Sequence, residues 1–155
     1  MNEETHYLSK AKQKELTAEL EDLKTNKRKE IAEHLEFAKS MGDLSENAEY
    51  HEARDEQARV EERITSLESI LASAVIVSKR HSENIGVGST VIVQKEGTRT
   101  KQTFSIVGSE EADTETGKIS NNSPLGESLL DKKKGEAASF ETPNGTITYK
   151  IISVE

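Results

Sequence analysis

Cysteine and tryptophan are absent from the sequence, and only two prolines, three tyrosines and three phenylalanines occur among its 155 residues. Without cysteine the chain can form neither disulfides nor thiolate metal sites. Long apolar runs are also missing, since the longest, residues 70–77, is far below the ~20 residues that a membrane span needs. The first four residues are polar and acidic, unlike a signal peptide. We therefore expect a cytoplasmic protein with no membrane segment.

Positive charge is in deficit, with 21 Lys and Arg against 29 Asp and Glu and a net charge of −8. This balance argues against a protein that binds nucleic-acid phosphates over a broad basic face. Hydrophobic residues make up only 32% of the chain, fewer than one compact globule of this length would contain. We therefore expect part of the chain to be elongated.

The composition changes near residue 78. Residues 1–78 contain 18 acids, 11 bases and one glycine, whereas residues 79–155 contain 11 acids, 10 bases, eight glycines and both prolines. Because glycine and proline interrupt long helices, this change predicts two domains, residues 1–78 and residues 79–155.

Apolar residues in the first half recur at alternating steps of four and three, which is the spacing of a coiled-coil seam. Ser9 is a candidate N-cap, Gly42 is a candidate helix stop, and Lys27 occupies a skipped seam position. The seam therefore predicts two helices that fold back as an antiparallel hairpin with arms of about 48 Å. The predicted seam residues are Leu16, Leu20, Leu23, Ile31, Leu35, Ala38, Ala53, Gln57, Val60, Ile64, Leu67 and Leu71.

The second half contains short runs rich in β-branched residues, which predict strands. Asn144 and Gly145 predict a hairpin turn, and Ser123 followed by Pro124 predicts a short helix that ends at Leu130. The fold class is therefore α+β, with a helical hairpin followed by a small sheet domain. The predicted strands lie at residues 90–93, 103–107, 138–142 and 146–151.

Two acidic residues, Asp43 and Glu46, lie in the turn between the predicted helices. One hypothesis is structural: Asp43 as N-cap and Glu46 three residues later would form a capping box for the second helix. The other hypothesis is functional, because Mg²⁺ commonly takes one or two carboxylates together with substrate phosphates. The spacing alone leaves both hypotheses open.

The turn sequence GDLSENAEY at residues 42–50, followed by His51, Ala53 and Arg54, closely resembles the tip signature of bacterial transcript cleavage factors of the GreA/GreB family. The resemblance is greater to the GreA branch and implies a coiled-coil hairpin followed by an FKBP-like domain. It extends over nearly the whole chain, through residues 7–9, 106–108, 111–113, 119–120, 122–126 and 142–145.

The resemblance implies a transcription elongation factor and not an independent enzyme. Factors of this family insert the hairpin into the secondary channel of RNA polymerase and stimulate the polymerase's own cleavage of backtracked nascent RNA. Asp43 and Glu46 would help to hold an Mg²⁺ ion of the polymerase active site for two-metal hydrolysis, and the factor alone would bind no cofactor. The alternative is a paralogue that occupies the same channel and inhibits transcription without cleavage.

Other tip residues have expected roles under the same resemblance. Ser45 and Asn47 would orient water or the scissile phosphate, or would only cap the helix. Tyr50 would stack near the RNA end or, alternatively, pack across the hairpin. Lys39 and Arg54 would pair with phosphates near the 3′ end of the nascent RNA, or would lie on a solvated helix face.

Asn122, Ser123 and Pro124 match the family's contact loop for the β′ coiled coil at the channel rim. The same residues would also start a helix. The family usually has Asp where this chain has Asn122, so one charged contact of the loop is in doubt. The resemblance implies a monomer, and a free coiled-coil module that dimerises through its seam is the remaining possibility.

Overall fold

The computed structural model describes residues 5–78 and 82–155, and it confirms the α+β class. The described residues form two compact units, one of residues 13–73 and the other of residues 5–12, 74–78 and 82–155. The predicted domain boundary at residue 78 stays a prediction. The second unit includes residues on both sides of that position. None of the helices in the described ranges has the length and apolar character to cross a membrane.

The helices of the first half form two antiparallel arms. Lys24 Nζ lies 3.2 Å from Glu68 Oε1, and nearer the turn His34 Nε2 lies 3.3 Å from Glu49 Oε2. Early residues of one arm therefore face late residues of the other, as an antiparallel pair requires. The elements are α1 (Lys10–Asp22), a π-helical turn (Leu23–Lys27), α2 (Arg28–Ser40) and α3 (Ala48–Ala72).

Apolar side chains between the arms are buried or half-buried, as the seam spacing predicts. Leu20, Leu23, Leu35 and Leu71 are half-buried, and Ile70, which the spacing did not predict, is buried. A straight helix turns once every 3.6 residues and so drifts away from a strict 3.5-residue repeat. The buried seam residues are Leu16, Ile31, Ala38, Ala53, Val60, Ile64, Leu67 and Ile70.

The π-helical turn interrupts the first arm where the seam spacing is irregular. Leu23, Lys27, Ile31 and Leu35 follow one another at three successive steps of four, which is one residue more than the alternating pattern allows. Because π-helical hydrogen bonds span five residues, such a turn accommodates an additional residue without breaking the helix. Lys27 lies in this turn, half-buried, with its Nζ 2.9 Å from Glu56 Oε1 on the opposite arm.

The second unit contains the strands β3 (Thr90–Lys95), β4 (Lys101–Val107), β5 (Lys118–Ser120), β6 (Ala137–Thr142) and β7 (Gly145–Val154). They form a five-stranded sheet in the order β5-β4-β3-β7-β6, with β4 and β5 parallel and the other pairs antiparallel. All four predicted strands and the short helix are confirmed. The apolar core lies on one face of the sheet and includes Ile85, Val93, Ile106, Leu129 and Ile151. The short helix is α4 (Pro124–Leu129).

The beginning of the hairpin sequence belongs to the second unit. β1 (His6–Leu8) pairs in parallel with β2 (Ala74–Ile76), and the sequence patterns did not predict either strand. Ser9 caps α1 as predicted, because its Oγ accepts a hydrogen bond from the Lys12 backbone N–H at 3.1 Å. The same hydroxyl donates to Glu111 Oε1 at 2.7 Å, so the start of α1 is bound to the loop that follows β4.

Candidate functional site

An exposed turn of residues 41–47 joins the two arms. α2 ends at Ser40, and Met41 is its C-cap. Gly42 follows with φ +117°, a backbone conformation that glycine adopts without the strain of a Cβ atom. The predicted helix stop at Gly42 is confirmed, and the side chains of residues 43–46 are all exposed.

Asn47 begins α3 and connects the turn to the other arm. Its Oδ1 accepts a hydrogen bond from the Tyr50 backbone N–H at 3.1 Å, and its Nδ2 donates to the Ala38 carbonyl oxygen in α2 at 2.6 Å. The capping-box hypothesis is therefore wrong, because Asn47 and not Asp43 is the N-cap of α3. Asp43 and Glu46 both lie in the turn, outside the helix.

Replacing Asn47 by alanine should destabilise the helical unit by about 1–3 kcal/mol. The variant loses a helix cap and leaves the Ala38 carbonyl oxygen without this donor. Thermal unfolding followed by circular dichroism and hydrogen exchange at the Tyr50 amide would measure both losses. Asn26→Ala is the matched control, because the Asn26 side-chain amide donates to an exposed carboxylate, Asp22, in the same arm and not to the opposite arm's backbone as Asn47 does. Equal stability of the two variants would contradict the role of Asn47.

Asp43 is held in one orientation by Ser45. Asp43 Oδ1 accepts hydrogen bonds from the Ser45 backbone N–H at 3.0 Å and from the Ser45 Oγ at 2.8 Å. These two bonds, the backbone one foremost, hold the pKa of the Asp43 carboxyl below its usual range. The carboxylate is therefore exposed, ionised at neutral pH and fixed in position, which are properties that a metal ligand needs.

Ser45→Ala should raise the pKa of Asp43 towards the ordinary aspartate value. The substitution removes the hydroxyl donor and leaves the backbone donor in place, so a partial rise is expected. Because the lowered pKa belongs to the folded state, the stability that it contributes is present above the usual aspartate pKa. That contribution is lost as the pH falls through the lowered value. Carboxyl chemical shifts measured against pH would show the change, and an unaltered Asp43 titration would contradict it.

Glu46 is the second exposed carboxylate of the turn, next to the N-cap Asn47. In the described part of the chain, no group of three or more His, Cys, Asp or Glu side chains could hold a metal ion. The oxygen donors of Asp43 and Glu46 suit Mg²⁺, which binds a few carboxylates and takes its other ligands from water and phosphates. This pair could therefore complete a metal site whose other ligands come from another molecule.

Lys39 and Arg54 lie on the same side of the hairpin. The fully buried Ala38 and Ala53 mark the facing surfaces of α2 and α3. Each basic residue follows its alanine by one position, a rotation of about 100°, which in antiparallel helices leads to the same side. Tyr50 is on this side too, half-buried, and its hydroxyl accepts a hydrogen bond from Arg54 Nη1 at 3.5 Å. Lys39, Tyr50 and Arg54 are called the basic side below.

The predicted docking residues form the compact start of α4. Ser123 is the N-cap as predicted: its Oγ accepts from the Gly126 backbone N–H at 3.0 Å and donates to the Ser120 carbonyl oxygen at 2.7 Å. Asn122 Nδ2 donates to Ser109 Oγ at 3.2 Å. Pro124 occupies the first turn of the helix and is exposed. The loop is thus held in a single shape with Pro124 accessible.

An apolar cavity of about 430 Å³ lies beside this loop. Pro124 and Leu125 line it from α4, Ile119 from β5, and Phe140 and Pro143 from β6 and the following turn. Sequence reasoning missed this cavity, because its lining comes from four segments of the chain, residues 112–114, 118–120, 123–125 and 140–143, that only the folded sheet brings together.

Two exposed apolar residues at the tip were also missed. Phe37 is 62% exposed and Met41 is 60% exposed, the highest values for large apolar side chains in the described ranges. The sequence contained a signal for them, because neither residue falls on the seam spacing.

Two family models match the chain. The model described as "Transcription elongation factor, N-terminal" matches residues 6–76. The model described as "Transcription elongation factor, GreA/GreB, C-term" matches residues 79–155. Together they cover nearly all of the sequence, including the turn of residues 41–47 and the loop of residues 122–124.

Two GreA proteins are similar to this chain over its whole length. Transcription elongation factor GreA of Streptococcus gordonii is 45% identical, over 100% of this chain and 98% of its own length. GreA of Bacillus anthracis is 45% identical, over 99% of this chain and 98% of its own length. The solved structure of GreA factor homolog 1 (Gfh1) of Thermus thermophilus is 30% identical, covers 98% of this chain and 99% of its own, and has a TM-score of 0.45.

Proposed function

Because the chain belongs to the GreA/GreB family of transcription elongation factors, we propose that it enters the secondary channel of bacterial RNA polymerase and stimulates cleavage of backtracked nascent RNA. The observation that carries this proposal is the turn, where Asp43 and Glu46 are exposed and free of the helix cap. The chain is an accessory factor without an active site of its own, and it acts in the cytoplasm together with the polymerase.

The chemical contribution of the chain is a pair of oxygen ligands at the end of a long support. α3 has 25 residues, or about 38 Å at 1.5 Å per residue, and its N-terminus adjoins the turn. The hydrogen bonds from Ser45 fix one carboxylate before binding, which lowers the ordering cost when the site assembles. Mg²⁺ shared with the polymerase, when bound, would activate water and stabilise charge on the phosphodiester oxygens.

The basic side would contact the RNA. Lys39 and Arg54 supply positive charge next to two carboxylates, so phosphates near the RNA 3′ end can approach the tip despite its acidic residues. Lys39 provides a point charge without the bidentate geometry of arginine. Tyr50, half-buried and bonded to Arg54, would position that arginine. The hairpin buries its own seam, which supports a monomeric factor.

The loop at Asn122, Ser123 and Pro124 would bind the β′ coiled coil at the channel rim. Its fixed shape and the adjacent apolar cavity of about 430 Å³ suit a helix that presents one apolar side chain next to polar backbone contacts. Docking by the second unit would then supply affinity that the acidic tip does not.

The test is RNA release from a backtracked polymerase complex that carries 3′-labelled RNA. Adding the protein with Mg²⁺ should accelerate release of short 3′ fragments and restore elongation. The protein with the same RNA but no polymerase should release nothing, which separates stimulation from an independent nuclease. Inhibited elongation without fragment release would instead indicate the channel-blocking paralogue and would reject the proposal.

A further inference from the structure

The tip has a second side, opposite the basic side, on which two large apolar residues are exposed. Phe37 precedes the buried Ala38 by one position and Met41 follows it by three, so both rotate away from the side of Lys39. Their i,i+4 spacing makes them neighbours on the helix surface. With 62% and 60% of their surfaces exposed, they form an apolar pair that no other part of the hairpin covers.

Acidic residues of α3 lie around this pair. His34 Nε2 is 3.3 Å from Glu49 Oε2, and His34 Nδ1 is 3.9 Å from Glu56 Oε2, which places both glutamates on this side of the hairpin. Glu52 follows Glu49 by three positions, shares its face and is exposed. Phe37, Met41, Glu49 and Glu52 are called the acidic side below.

We propose that the acidic side is a docking surface for a basic segment of the polymerase, in which Lys or Arg flanks an apolar side chain. This inference rests on the proposed function and adds a second contact to it. Exposed carboxylates attract a cationic partner and the apolar pair offers an anchor that can be desolvated, a combination typical of protein interfaces.

The charges distinguish this partner from two others. RNA would bring its phosphates close to the carboxylates of Glu49 and Glu52, and like charges repel. The phosphates of RNA are attracted instead to the basic side. A second copy of the chain, docked through the same surface, would bring its own glutamates against these. A cationic protein segment meets neither penalty.

The first experiment compares the double variant Phe37→Ser, Met41→Ser with wild type in binding to core polymerase, measured by fluorescence anisotropy. We expect Kd to rise about tenfold, with the cleavage rate at saturating factor within about twofold of wild type. Val75→Ser, which removes an apolar side chain 45% exposed in the other unit, is the control and should bind normally. Unchanged affinity of the double variant would overturn the inference, as would a cleavage rate that stays low at saturation.

Two further experiments identify the partner. Glu52→Lys should weaken binding several-fold at low salt, and the difference should shrink as salt screens the charges. A photo-crosslinking residue at position 37 should attach to a polymerase subunit in the backtracked complex. Attachment to RNA or to a second copy of the chain would overturn the inference while leaving the cleavage function intact. Wild type that neither binds polymerase nor stimulates cleavage would reject the proposed function itself.

Discussion

Asp43→Ala and Glu46→Ala should each lower factor-stimulated RNA cleavage at least ~100-fold, while affinity for the polymerase stays within about threefold of wild type. Each substitution removes one oxygen donor from an exposed turn and leaves the helix cap at Asn47 in place. The fold should therefore be unchanged, and the loss should appear in the chemical step. Single-turnover cleavage at saturating factor would separate that step from binding.

A matched acidic control lies two residues from the buried Ala38. Glu36 is exposed on α2 and points away from α3, so Glu36→Ala removes the same charge without touching the turn. Its cleavage rate should equal that of wild type. Raising the Mg²⁺ concentration should partly restore the Asp43 and Glu46 variants, because a weakened metal site fills at higher metal concentration. Full cleavage by both alanine variants would rule out the ligand role.

Gly126→Ala is the complementary variant, expected to impair docking and spare the chemistry. A Cβ atom at Gly126 would overlap the Ser120 carbonyl oxygen, which also accepts the Ser123 hydroxyl bond. The helix must therefore move away from the loop at Asn122, Ser123 and Pro124. Overpacking of this kind costs about 1–3 kcal/mol of stability, and we expect affinity for the polymerase to fall about tenfold.

Cleavage by Gly126→Ala should return to the wild-type rate at saturating concentration, because the tip is untouched. The control is Glu127→Ala, an exposed neighbour in the same helix, which should bind and melt as wild type does. Calorimetry of both variants would show whether the second unit is destabilised. Wild-type stability and affinity in Gly126→Ala would mean that α4 tolerates the extra carbon atom and that the loop geometry matters little.

The long helices and the larger strands could be predicted because their signals are repeated along the chain. Many seam residues agree on one helix face, so a single missed position, Ile70, leaves the predicted hairpin intact. β1 and β2 have three residues each, too few to show a period. They exist because residues more than 60 positions apart in sequence meet in the fold.

The helix cap at the tip was not predictable from local sequence. Asp43 and Asn47 are both good N-cap residues, and the capping-box pattern favoured the aspartate. The Ala38 carbonyl oxygen decides between them, because it accepts the Asn47 amide only when the two arms are packed together. The sequence did identify Asp43 and Glu46 as candidates, but the turn that exposes both follows from this contact across the hairpin.

Because the first arm contains the π-helical turn at Leu23–Lys27, it could lose one residue without moving the end of the arm. Deleting one residue inside this turn would convert it into ordinary α-helix and leave the seam on either side in phase. A relative with one residue fewer in this turn would still hold its tip carboxylates at the same distance from the start of the arm. Gaps in sequence alignments at this point therefore carry no information about how far the factor reaches.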